Sequence, residues 1–154
     1  MTLPLAFLIG LLSGLRSLTP IAVVSWAIRL GVLKLQGPLS WIGSTAAVAV
    51  FTALAIVELV TDKLPKTSSR TAPPGLIARI VLGALAGACV AMAGVVAYLV
   101  GAVLGVVGAL VGAFGGYQAR TRLVKALGSP DFVIALVEDL VTICGSIWVV
   151  TRFS

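Results

Sequence analysis

Residues 3–33 read LPLAFLIGLLSGLRSLTPIAVVSWAIRLGVL, an apolar run interrupted once, at Arg16-Ser17-Leu18-Thr19-Pro20. As one continuous helix this run would rise about 46 Å, against a bilayer hydrocarbon core of about 30 Å. Thr19 followed by Pro20 reads as an N-cap and a first helical position, so a new helix is expected to begin there. The run is then either a long tilted helix kinked at Pro20 or a hairpin of two half-spans that meet inside the membrane.

The surrounding chain is of the same kind. Of its 154 residues 60% are hydrophobic and only 10% charged, and the mean hydropathy is +1.18. A soluble domain carries roughly a quarter charged residues, and in water this chain would expose apolar patches that soluble monomers avoid. The composition excludes a soluble enzyme of ordinary build and a disordered or fibrous chain, and it points to an all-α, polytopic membrane protein. Trp41 to Lys63 is a second span. Gly75 to Leu127 is too long for one span and suits two, joined by a tight turn between Gly94 and Gly101. Pro130 to Val150 completes a count of about five spans in a single transmembrane domain, 1–154. Met1-Thr2-Leu3-Pro4 offers no basic region before the apolar run, so the start is expected to belong to the mature protein.

The bases sort by face. Lys63, Lys66, Arg70, Arg79, Arg120, Arg122 and Lys125 lie in or beside the segments 63–74 and 117–130, whereas Arg29, Lys34 and Arg152 fall on the opposite side. The positive-inside rule places both of those loops in the cytoplasm and the C-terminus outside; the N-terminus is inside for a single first span and outside for a hairpin. Because the bases flank spans, membrane orientation explains the net charge of +6 more simply than nucleic-acid binding does. There is no histidine, and Cys89 and Cys144 stand alone in apolar runs. No metal, cofactor or catalytic nucleophile is therefore expected, and the chain does not read as an enzyme.

Acids inside spans are costly, so each one marks a functional candidate. All five belong to the second and last spans: Glu58 and Asp62 in one, Asp131, Glu138 and Asp139 in the other. If these spans are antiparallel, Glu58 and Glu138 reach a common depth of about 8–12 Å below the cytoplasmic edge. The expected ion- or solute-binding site is a polar cavity in which Arg16, Ser17 and Thr19 face Glu58, Glu138 and Asp139, with Asp62 at its rim. The plainer reading is local pairing: Glu58 with Lys63, Asp62 with Lys66, and Arg16 neutralising one glutamate. Lys63, Lys66 and Arg70, interleaved with Thr67, Ser68, Ser69 and Thr71, suit lipid head groups or simply form a basic loop. Gly83-x3-Gly87, Gly101-x3-Gly105, Gly108-x3-Gly112 and Gly112-x3-Gly116 give flat helix faces for close packing, within one subunit or between copies; the expectation here is a homo-oligomer. The shared string A-x-V-E at Glu58 and Glu138 hints at an inverted repeat with halves 1–64 and 75–154, a plan common among transporters.

The motif Gly14-Leu-Arg16-Ser17-Leu-Thr19-Pro20, together with Glu58-x3-Asp62-Lys63-x-Pro65-x-Thr67-x-Ser69-Arg70-Thr71, Arg79 and the Gly/Ala-rich span after it, resembles a family of small bacterial membrane proteins known as domain of unknown function 4126. The resemblance covers nearly the whole chain. It implies a polytopic protein of a bacterial inner membrane and supplies no reaction or substrate. Read from its residues, the chain is expected to be a small transporter or channel-like protein moving an ion or small solute. The alternative is a non-transport membrane factor, structural or lipid-head-group-binding.

Overall fold

A computed structural model of the chain describes residues 1–63, 72–128 and 130–154. Among them there is no strand. Six α-helices follow one another: α1 (Thr2–Leu15), α2 (Leu18–Arg29), α3 (Thr45–Thr61), α4 (Pro73–Ala93), α5 (Tyr98–Leu127) and α6 (Asp131–Val150). A short 3-10 turn, Ser40–Gly43, leads into α3, and another, Thr151–Phe153, ends the chain.

The break in the first run falls two residues earlier than Thr19-Pro20 suggests. Arg16 is extended and Ser17 occupies the N-cap position, so α2 starts at Leu18 and Pro20 stands third in the helix. Proline fits there because the first-turn N–H groups have no intrahelical acceptor. The run is a hairpin. α1 is antiparallel to α4, with Thr2 beside Gly94 and Gly14 beside Arg79. Beyond α2, Leu33 and Ile42 are buried in the same core as Leu5 of α1, Cys89 and Val90 late in α4, and Val149 and Val150 at the end of α6. The end of α2 has thus returned to the level of the N-terminus. α3 turns back along α2, tied by Trp26 Nε1 to Thr52 Oγ1 (3.0 Å) and Arg29 Nη1 to Thr45 Oγ1 (2.8 Å). Ser44 caps α3 by accepting from the Ala47 N–H at 3.2 Å.

The expected count of five spans is not confirmed among the described residues. Pro73–Ala93, Tyr98–Leu127 and Asp131–Phe153 are long and apolar enough to cross a membrane, whereas α1, α2 and α3 are shorter apolar helices. The 14 residues of α1 rise only about 21 Å. Lipid-like exposure runs through the surface: Val50, Leu54 and Val57 on α3, Val103, Val107 and Val111 on α5, and Leu136, Leu140 and Ile147 on α6 are all exposed. Such a surface belongs to a membrane-embedded protein.

α1, α4 and α5 form the tightest part of the bundle, and glycine is the reason. A Cβ on Gly105 would strike the Gly83 carbonyl oxygen, on Gly87 that of Gly101, on Gly108 that of Phe7, and on Gly112 that of Leu11. α5 therefore lies against α4 through one set of glycines and against α1 through the next, and Gly10 and Gly14 of α1 answer from the other side. Backbones this close gain dispersion contacts that side chains would prevent. Of the glycines expected to receive a second copy, Gly83, Gly87, Gly101, Gly105, Gly108 and Gly112 pack on helices of the same chain.

Candidate functional site

The alternation of helix directions gathers the charged residues at one end of the bundle. The α1–α2 turn, the end of α3, the start of α4, the end of α5 and the start of α6 all lie there. Arg16 is its centre and is wholly inaccessible to solvent. Its Nη1 donates to Asp62 Oδ2 at the end of α3, and its Nη2 lies 2.5 Å from Asp139 Oδ1 on α6. Asp139 is bridged in turn by Lys63, whose Nζ donates to Oδ2 at 2.7 Å and to the Leu59 carbonyl at 2.7 Å. Two cations and two anions from the α1–α2 turn, the end of α3 and α6 thus form one chain of contacts: Asp62, Arg16, Asp139, Lys63.

Glu58 has a different task. Its Oε1 accepts from the Ser17 N–H at 2.8 Å and the Ser17 hydroxyl at 2.5 Å, and its Oε2 accepts from the Leu18 N–H at 2.9 Å. α2 has no capping side chain of its own, so a carboxylate from α3 closes its N-terminus. Negative charge at that end is favoured by the helix dipole and by the unsatisfied N–H groups. Glu58→Ala is expected to cost about 1.5–3 kcal/mol, the range for hydrogen bonds to a charged group. The loss is expected to loosen α3 from α2 first, read as faster proteolysis near residues 62–72 with the rest of the bundle intact.

A second group sits beside the first. Arg120 of α5 grips Asp131 with two hydrogen bonds, Nε to Oδ1 at 2.7 Å and Nη2 to Oδ2 at 2.5 Å, and its Nη1 lies 3.5 Å from Glu138 Oε2. This clamp joins α5 to α6 across their short connection. Arg79, almost fully buried on α4, donates from Nε to the Gly14 carbonyl at 3.0 Å and from Nη1 to the Gly75 carbonyl at 3.1 Å. It thereby takes up backbone acceptors near the end of α1 and in the first turn of α4.

Most of the expected site residues meet. Arg16, Ser17, Glu58, Asp62 and Asp139 converge, and Thr19 is buried in the first turn of α2. The local pairing of Glu58 with Lys63 does not hold: Glu58 goes to the start of α2, and Lys63 goes to Asp139, while the expected partner of Asp62, Lys66, lies outside the described residues. Those partners are better because a helix N-terminus and a buried carboxylate gain more from a charge than an exposed neighbour does. Glu138 joins Arg120 instead of Arg16, so the two A-x-V-E glutamates do not occupy equivalent places and the repeat is not seen in the site. Lys66, Ser69, Arg70 and Thr71, expected to contact head groups, lie outside the described residues.

Neither Arg79 nor Arg120 was among the expected site residues. Nor were Thr142 and Ser146, both fully buried on the inward face of α6 below Asp139; their spacing of three and seven from Asp139 was the available signal. At the far end, Trp26, Trp41, Trp148 and Tyr98 are each about half exposed, and Arg152 stacks on Trp148 at 4.3 Å. An aromatic belt of this kind is what a membrane–water boundary selects.

Residues 3–151 match the family model described as Domain of unknown function (DUF4126), and the chain belongs to that family. No curated protein and no solved structure was found to match it.

Proposed function

We propose that this membrane protein is a small transporter or channel-like protein, and that the charged layer is the closed cytoplasmic end of its pathway for an ion or small solute. The observation that carries the reading is the state of Arg16. It is buried in an apolar bundle between two aspartates, yet its Nε has no hydrogen-bond partner, and the Thr19 and Ser146 hydroxyls likewise have none. Replacing a whole buried ion pair, both partners together, by well-packed apolar residues is often neutral or stabilising. A bundle that only had to hold together gains little from such a layer, whereas a gate that opens by exchanging ion pairs needs one. The positive-inside count puts this end in the cytoplasm of a bacterial inner membrane.

The second reading, a structural or head-group-binding factor with no catalytic role, is favoured by one specific feature. Every acid of the layer already meets a base or a helix N-terminus. Reconstituted protein separates the two. Asp139→Asn is expected to change solute or ion flux in liposomes by roughly tenfold or more while the elution profile of the protein is unchanged. If wild-type protein moves nothing, and only substitutions at Lys66 and Arg70 alter lipid retention, the second reading replaces the first.

A further inference from the structure

The inward face of α6 carries a polar stripe that the charged layer does not account for. Ala135, Asp139, Thr142, Ser146 and Val149 are its buried positions, at a spacing that puts them on one side of the helix. This side packs on α1 and α2. From Asp139 to Ser146 the stripe descends about 10 Å toward the middle of the bundle. Thr142 spends its hydroxyl on the Glu138 carbonyl at 2.8 Å. Ser146 Oγ, Thr19 Oγ1 and Arg16 Nε have no partner, and Asp139 Oδ1, although 2.5 Å from Arg16 Nη2, is out of alignment for a hydrogen bond with it. Buried groups of this kind are ordinarily satisfied by protein or by water.

The charge at the head of this stripe decides what it can hold. Among the described residues in direct contact there, Arg16 and Lys63 stand against Asp62 and Asp139, and the Glu58 carboxylate is already spent on the N-terminus of α2. An ion of either sign would meet its like charge together with its opposite. A neutral molecule with both donors and acceptors would meet a guanidinium N–H and a carboxylate oxygen at the head of the stripe, near the Thr19 turn, and the Ser146 hydroxyl about 10 Å further along, each a group that a donor–acceptor solute can satisfy in turn. We infer that the seam between α1, α2 and α6 below Arg16 is a binding site for water and small neutral hydrogen-bonding solutes, of the size and chemistry of urea or glycerol, rather than for ions. This rests on the transport reading above and names its substrate class.

The full chain, reconstituted in phosphatidylethanolamine–phosphatidylglycerol vesicles, is tested by stopped-flow light scattering with urea, glycerol and an impermeant osmolyte, and in parallel for potassium, chloride and proton flux. Wild-type vesicles are expected to pass urea or glycerol about fivefold faster than protein-free vesicles, with ion fluxes at background. Ser146→Ala, which removes the hydroxyl without adding volume, is expected to bring the rate at least threefold down while melting as the wild type does. The inference is overturned if Ser146→Ala melts normally and leaves the urea and glycerol rates unchanged. Ion flux with no urea or glycerol flux overturns the neutral class and leaves the transport reading standing. If neither solutes nor ions move, both fall.

Discussion

Arg16→Ala is expected to be the most damaging single change among the polar residues, lowering stability by about 3–5 kcal/mol, the cost of breaking a buried ion pair by removing one partner. The reason lies in what it leaves behind. Asp62 and Asp139 come from different helices to the same guanidinium. Without it, two carboxylates are left at the closed end of the bundle, of which Asp139 keeps the partly exposed Lys63 as its direct partner. Arg16→Lys is expected to recover part of the loss and not all of it, since an ammonium on a single stem cannot present two forked N–H groups to two carboxylates. Thermal unfolding in detergent measures each effect. The same experiment tests the pairing itself through a double-mutant cycle. Arg16→Ala with Asp139→Asn should cost less than the sum of the two singles by at least about 1 kcal/mol. Simple additivity would mean that the guanidinium and the carboxylate do not act on each other.

How far this layer could be read in advance follows from how membrane sequences are written. With five acids in the chain, their placement in two spans is visible by eye, and the depth argument brings them to one level. Which base meets which acid is not visible. Arg16 and Asp139 are far apart in sequence, and local rules favoured Glu58 with Lys63 because they say nothing about a neighbouring helix that lacks a cap. Ser17 and Leu18 supply that uncapped end. The choice between kink and hairpin was equally closed to the sequence, since Arg16-Ser17-Leu18-Thr19-Pro20 interrupts a helix in the same way for both. Packing decides it: Leu33 and Ile42 find their core among Val149, Val150 and Cys89, at the level of the N-terminus. Short helices were hidden for a related reason. Apolar composition runs straight through the α1–α2 turn, so hydropathy alone cannot show that each arm, 14 and 12 residues long, is shorter than a span of about 20.

Glycine gives the second large effect, and two neighbours on one helix provide the comparison. Gly112→Ala is expected to destabilise the protein by about 3 kcal/mol, at the upper end of the range for overpacking. The added methyl would meet the Leu11 carbonyl and the Cα of Gly14 on α1, both backbone atoms, so it cannot be accommodated by turning a side chain. α1 and α5 must move apart, and every contact along their seam weakens with them. Gly115→Ala, one turn away on the same helix, has nothing within 4 Å of the new methyl. There alanine's better helix propensity is expected to act alone, leaving stability unchanged or raising it by up to about 1 kcal/mol. Unfolding measured in one detergent for both variants reads the contrast directly. The pair also bears on association between copies. If Gly112 served an interface with a second chain, its substitution would shift the protein toward monomer in size-exclusion with light scattering and leave the melting of that monomer near the wild-type value. Packing within the chain predicts the reverse: melting falls sharply, and whatever oligomeric state the wild type shows is kept by the fraction that remains folded.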